Sequence, residues 1–315
     1  MLARVANNLY WMGRYIERSE HVARYMHVNY FSSLDAPNEL SQDRQFVLRS
    51  MKFMVGDPAN DPDEILDETE VLHDLGLNTE NGFSIINNVK STRENANSAR
   101  DLISTELYEA INKFYHFVLN YDKDLYVKRG LYDFCVDITE MTTILRGKIR
   151  ATLLHDEVYA IIMMGMNLER ATQIIRIINA KYNDALLARN GYDPDVGKSF
   201  EWITLLKCAE SYDMMRRFYK KSPSSLSTLE FLILNGSCPR SVMNSLDQVS
   251  KHIHVLEKSK NPSKDSAAFF IEKVRAELKF KHIEEIEGNI RDFIETKMND
   301  LVLIADKLEK EFFNY

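Results

Sequence analysis

The stretch Met1–Tyr30, MLARVANNLYWMGRYIERSEHVARYMHVNY, constrains the chain most, because it carries two opposed stripes at helical spacing. Arg4, Asn7, Trp11, Arg14, Arg18, Val22, Tyr25 and Asn29 recur every three or four residues and share one helix face, rich in arginine and aromatic groups. The opposite face reads Val5, Leu9, Met12, Ile16, Ser19, Ala23. A helix with both faces to bury belongs in the interior rather than on the surface.

The pattern returns. Met12-Gly13-Arg14-Tyr15-Ile16-Glu17-Arg18 is echoed by Met164-Gly165-Met166-Asn167-Leu168-Glu169-Arg170, and the same register pairs Arg24 with Arg176 and Tyr30 with Tyr182. This is the mark of an internal duplication. Glycine inside a helix costs about 1 kcal/mol relative to alanine, so Gly13 and Gly165 together predict the close approach of two backbones. The expected architecture is an all-α multi-helix bundle, one unit over 1–315, built from pseudo-repeats of about 1–150 and about 151–315 related by an approximate twofold.

Proline placement agrees. Pro37, Pro58, Pro62, Pro194, Pro223, Pro239 and Pro262 sit beside loop-forming residues, and none falls between Pro62 and Pro194. That span predicts successive helices, with apolar stripes Ala96, Ala99, Ile103, Leu107, Ala110, Phe114 and Leu131, Phe134, Cys135, Ile138, Met141, Thr142, Leu145. After Pro262 the series Ile283, Ile286, Ile290, Phe293, Leu301, Ile304, Leu308, Phe312 predicts one long closing helix with a solvated charged face. Residues 57–80 carry nine acidic side chains and no Lys or Arg; their spacing is not that of a calcium loop, and a solvated loop with a short helix is expected.

Several functions are excluded. A net charge of −7 argues against a general nucleic-acid binder. The basic cluster Arg216, Arg217, Lys220, Lys221 reads as a helix C-terminus, where cations suit the helix dipole. Cys135, Cys208 and Cys238 are far apart and suggest neither disulfide framework nor zinc site. No apolar run approaches the roughly 18 residues that would span a bilayer, and a polar N-terminus argues against a signal peptide. A cytoplasmic protein without membrane attachment is expected. Gly197-Lys198-Ser199 follows Gly191 with one residue too many for a phosphate loop, only one Glu-x-x-His occurs where a di-iron bundle needs two, and His252 and His254 point to different helix faces. No metal or cofactor is expected.

What survives is a set of polar helix stripes. The second is Arg93, Glu94, Asn97, Asp101, Ser104, Tyr108, Asn112, flanked by Arg100. Buried arginines demand partners. Either Glu17, Arg18, Glu169 and Arg170 satisfy one another across the duplicated helices, or Arg4, Trp11, Arg14 and Arg18 with Arg93 line a pocket for a carboxylate or phosphate, to which guanidinium forks are suited.

At these residues the chain resembles the bacterial alpha-E family, whose helices share a Glu-Arg motif. The resemblance runs from Met-Leu-x-Arg-Val-Ala through Leu9-Tyr10-Trp11-Met12-Gly13-Arg14-Tyr15, Glu17-Arg18 and Ala23-Arg24. It continues in Arg93-Glu94-Asn95-Ala96, Arg100-Asp101, Gly165 with Leu168-Glu169-Arg170-Ala171, Trp202 with Leu205-Leu206, Phe231-Leu232 and Pro239-Arg240-Ser241-Val242. The family usually has arginine where this chain has Met166, so the second copy lacks one cation. The resemblance implies an accessory or substrate-binding component working beside a circularly permuted ATP-grasp ligase and a transglutaminase-like protein in peptide synthesis or modification. The ligase would supply the ATP chemistry, since no nucleotide site is recognisable here. A non-catalytic scaffold that docks the ligase, and an unrecognised helical enzyme, are the alternatives. The candidate binding residues are Arg4, Asn7, Trp11, Arg14, Glu17 and Arg18, then Arg93, Glu94, Asn97 and Arg100, then Glu169 and Arg170.

Overall fold

Two helices without an internal proline run far longer than the rest. In the computed structural model, which describes residues 2–35, 44–56, 64–126, 130–187, 194–257 and 262–313, they are α1 (Ala3–Asp35) and α8 (Glu157–Leu187). Between them lie α2 (Arg44–Val55), α3 (Glu68–Gly76), α4 (Ile85–Ser98), α5 (Thr105–Leu119), the single turn α6 (Lys123–Leu125) and α7 (Leu131–Thr152). After them come α9 (Pro194–Cys208), α10 (Tyr212–Tyr219), α11 (Ser225–Ile233), α12 (Val242–Leu256), α13 (Ala267–Lys279), α14 (Ile283–Glu287) and α15 (Ile290–Leu308). No strand occurs among the described residues.

At 1.5 Å per residue α1 spans about 50 Å, and it packs lengthwise on α8. The notch that permits this is the glycine pair. A Cβ built on Gly13 would press on the Ile162 carbonyl oxygen and stand 3.1 Å from the Met166 nitrogen; one on Gly165 would press on the Tyr10 carbonyl oxygen and lie 3.0 Å from its carbon. Leu9, Met12 and Ile16 of α1 and Ile162, Met164 and Leu168 of α8 are all buried around this crossing, each such side chain contributing about 1.5–3 kcal/mol.

The surrounding helices group alike on the two sides. α1 packs on α4 and α7, with α5 against both; α8 packs on α12 and α15, with α13 against both. The caps correspond too. Ser84 and Ser241 cap α4 and α12, and Ser104 and Ser266 cap α5 and α13, each by accepting a backbone N–H three residues on.

Two expected stripes are interrupted. The series Ala96 to Phe114 is not one helix: α4 ends at Ser98, a 3-10 turn covers Arg100–Leu102, and Ser104 restarts the chain as α5. The hairpin folds its polar stripe onto itself, so Arg93 Nε donates to Asn112 Oδ1 at 2.8 Å and the Tyr108 hydroxyl to Asn97 Oδ1 at 2.7 Å. The expected long closing helix is instead three helices, α13 to α15, broken at Phe280–His282 and Gly288–Asn289. Its apolar spacing survives because Ile283, Ile286, Ile290 and Phe293 are all buried across the breaks. Of the acidic segment, the described part carries α3, whose start Asp67 caps by accepting from the Glu70 N–H at 2.9 Å. Gly197-Lys198-Ser199 lies inside α9.

Candidate functional site

Glu17 and Glu20 are three residues apart and so share a face of α1; both carboxylates are wholly buried, as is Glu169 on α8. Such charges must be matched. Arg170 meets Glu17 through both ends of its fork, Nε at 2.6 Å and Nη2 at 2.9 Å. Across the crossing Glu169 receives Arg18, Nε at 2.7 Å and Nη2 at 3.1 Å, together with Arg14 Nε at 2.7 Å and Gln173 Nε2 at 2.7 Å. The Glu-Arg dipeptides 17–18 and 169–170 are therefore reciprocally paired.

The two ends of this arrangement differ. On the Glu169 side the arginines are stacked: the Arg14 guanidinium lies 4.8 Å from the Trp11 ring centre, and that of Arg18 5.6 Å from Tyr15. On the Glu17 side more chain converges. Arg240, from the turn before α12, donates to Glu17 at 3.4 Å, to Glu20 at 2.9 Å and to Glu210. Arg146 of α7 and Arg24 of α1 both bind Glu20, and Arg24 reaches Glu210 at 3.0 Å. Four arginines thus face three carboxylates here.

Electrostatics keep the acids ionised. Burial alone would raise the Glu17 carboxyl, but Arg170 outweighs it and holds it well below the usual range. Burial likewise opposes Arg240, Arg24 and Arg146 at Glu20, and the arginines win, bringing it to about 2. Glu169 is lowered in the same contest by Arg18 and Arg14. His21 Nε2 lies 3.3 Å from Glu17 Oε1 without hydrogen-bond geometry, and burial lowers its pKa.

On the solvent side of this cluster a cavity of about 570 Å³ opens, lined by Arg146, Arg150, Arg170 and Arg240 with Thr143, Gly147, Glu210, Met214 and Pro239. Glu210 is half exposed at 51% and adopts a left-handed backbone, φ 52°, that disfavours a non-glycine residue. Four guanidinium groups and one carboxylate line the cavity.

The sequence-derived candidates divide. Glu17, Arg18, Glu169 and Arg170 come together, and Arg14 joins them. Trp11 serves as a stacking platform. Arg4 is exposed, and Asn7 is half-buried with its Oδ1 lacking a hydrogen-bond partner among the described residues. Arg93 and Arg100 lie instead on the α4–α5 hairpin over Tyr115 and Tyr108, at 4.6 and 4.4 Å; Asn97 is in the same hairpin and Glu94 is exposed. Arg93 is held by Asn112 within that hairpin. Glu20, Arg24, Arg146, Arg150, Glu210 and Arg240 escaped the sequence reading as site residues. No group of three or more His, Cys, Asp or Glu suited to a metal occurs among the described residues, and no described helix is long and apolar enough to cross a membrane.

Residues 1–313 match a family model described as a predicted alpha-helical domain with a conserved ER motif. No curated protein and no solved structure matches the chain.

Proposed function

The chain belongs to the alpha-E family, and we propose that it is an accessory, substrate-binding component of an ATP-grasp-linked peptide synthesis or modification system, holding a carboxylate or phosphate in the arginine cavity. The observation that carries this reading is the cavity itself: Arg146, Arg150, Arg170 and Arg240 line it. Three of them are fixed from behind by the buried Glu17 and Glu20, so their donors are already oriented for a ligand. Burial pushes Cys135 far up and Cys208 to about 12, and neither is a nucleophile at neutral pH.

The circularly permuted ATP-grasp ligase and the transglutaminase-like protein are the partners this reading assigns. A duplicated architecture belongs to the same reading. It is supported by the paired glycines, the reciprocal Glu-Arg contacts and the matched groupings of α1, α4, α5, α7 and α8, α12, α13, α15. Met166 stands where an arginine equivalent to Arg14 would be, and the anion cavity lies on the side of Arg170 and Arg240.

Titration calorimetry with inorganic phosphate and with short peptides tests the proposal. Arg150 is exposed, so Arg150→Ala should leave Tm unchanged and weaken anion binding about tenfold, the loss of one charge-assisted contact. Equal affinity in both proteins, with the ligase still co-purifying, would leave only a docking scaffold.

A further inference from the structure

The arginine cavity is not isolated. Met214, which lines it, also lines an apolar cleft of about 330 Å³ formed with Phe218, Phe231 and Cys238. Arg217 of that cleft in turn lines a third cavity, of about 770 Å³, with Arg216, Lys220 and Lys221 facing the single acid Asp213. The order follows from α10. Met214, Arg217 and Phe218 are at i, i+3 and i+4 and share one face, while Asp213 and Arg216 lie on the adjoining face, Lys220 follows the helix end in a left-handed conformation, and Met215, fully buried, anchors the helix behind. Phe218 keeps 57% of its surface in water beside this cleft, although Phe231 next to it is almost covered.

Resting on the anion-binding reading, we infer that this trough receives the C-terminus of a peptide. The α-carboxylate enters the arginine cavity, an apolar last side chain fills the cleft over Phe218 and Phe231, and an acidic residue upstream meets the lysines and arginines at the end of α10. Three features in series favour a peptide over a fatty acid: a site for one anion, a small cleft edged by Asn235 and Ser237, and a second cationic site beyond it. A fatty acid has nothing to offer the last.

Fluorescence anisotropy with a dye-labelled Glu-Glu-Ala-Leu peptide tests the order of subsites. Amidating its C-terminus should weaken binding about tenfold or more, Leu to Gly by about tenfold, and Glu-Glu to Lys-Lys strongly at low salt but little at high salt. In Phe218→Ala the Leu-over-Gly preference should vanish while the free-acid-over-amide preference remains; in Arg150→Ala the reverse should hold. Wild-type binding of phosphate together with an unchanged Leu-over-Gly ratio in Phe218→Ala would overturn the peptide inference and leave the anion site standing. Decanoate binding as tightly as the peptide would overturn it in favour of a lipid acid. Absence of binding by phosphate and all peptides would overturn both readings.

Discussion

Gly165 rests directly on the backbone of Tyr10: a Cβ at this position would lie 3.0 Å from the Tyr10 carbonyl carbon and closer still to its oxygen. Gly13 stands in the same relation to Ile162 and Met166. Alanine at a helical glycine normally gains about 1 kcal/mol, but here the methyl would meet rigid backbone, an overpacking cost of about 1–3 kcal/mol or more. Gly13→Ala and Gly165→Ala should therefore both lower the urea midpoint. Gly147→Ala, with nothing within 4 Å of the added carbon, should raise it. A rise in all three would mean that α1 and α8 do not cross at the glycines.

The Glu17 carboxylate is more central than any single arginine around it. Arg240 and Arg146 keep Glu20, but Arg170 has Glu17 as its carboxylate partner, so Glu17→Gln strands the Arg170 guanidinium and should cost about 3–5 kcal/mol. Arg170→Met leaves Glu17 with Arg240 and should cost less. The double variant should lose much less than the sum, as expected of contacting residues. Additive losses in denaturant titrations would show that the two do not interact.

Glu210 occupies the mouth of the arginine cavity, bonded to Arg24 and Arg240. An incoming carboxylate competes with it, so Glu210→Gln should tighten phosphate or peptide binding about tenfold, an ordinary coupling free energy. Glu210→Gly removes both the carboxylate and the left-handed backbone penalty, about 1 kcal/mol, and should raise Tm as well as affinity. Weaker binding in Glu210→Gln would make this residue a ligand group instead of a competitor.

Acid should destabilise the protein in two steps. Burial first, then Lys251 and His155, push His252 from the ordinary 6.5 to about 4, and burial lowers His21 as well. As pH falls from about 6.5, the unfolded chain binds protons that these folded side chains refuse, so stability drops until about pH 4. Glu20, ordinarily near 4.5, holds its charge to about 2 in the fold, and a second loss follows as pH falls from 4.5 to 2. Tm measured across pH 7 to 3 should show both. His252→Gln should flatten the upper slope and leave the lower one; an unaltered upper slope would remove His252 from the account.

What could be read from the chain depended on how locally it was written. Gly13, Gly165 and the Glu-Arg dipeptides sit in one repeated register, so the crossing was legible and the reciprocal pairing stood as one of two readings. Arg146, Glu210 and Arg240 each stand alone on a different segment, and nothing periodic marks a side chain whose partners come from α1. Arg240 did stand in the Pro239-Arg240-Ser241-Val242 motif, which gave its importance but not its partners. Glu20 was legible as three residues from Glu17, yet it fell between the two stripes. The α4–α5 stripe misled because Ser104, a helix start, kept the three-to-four spacing across a reversal of the chain.

The pairing of Glu17 with Arg170 joins residues 153 positions apart. During synthesis α1 leaves the ribosome with Glu20 already beside Arg24, but with Glu17 and an apolar face whose partners on α8 have not yet been made. At about 5–20 residues per second the wait for Arg170 is roughly eight to thirty seconds. The longest helix among the described residues thus gains the arginine that grips Glu17 at both oxygens only once α8 has been made.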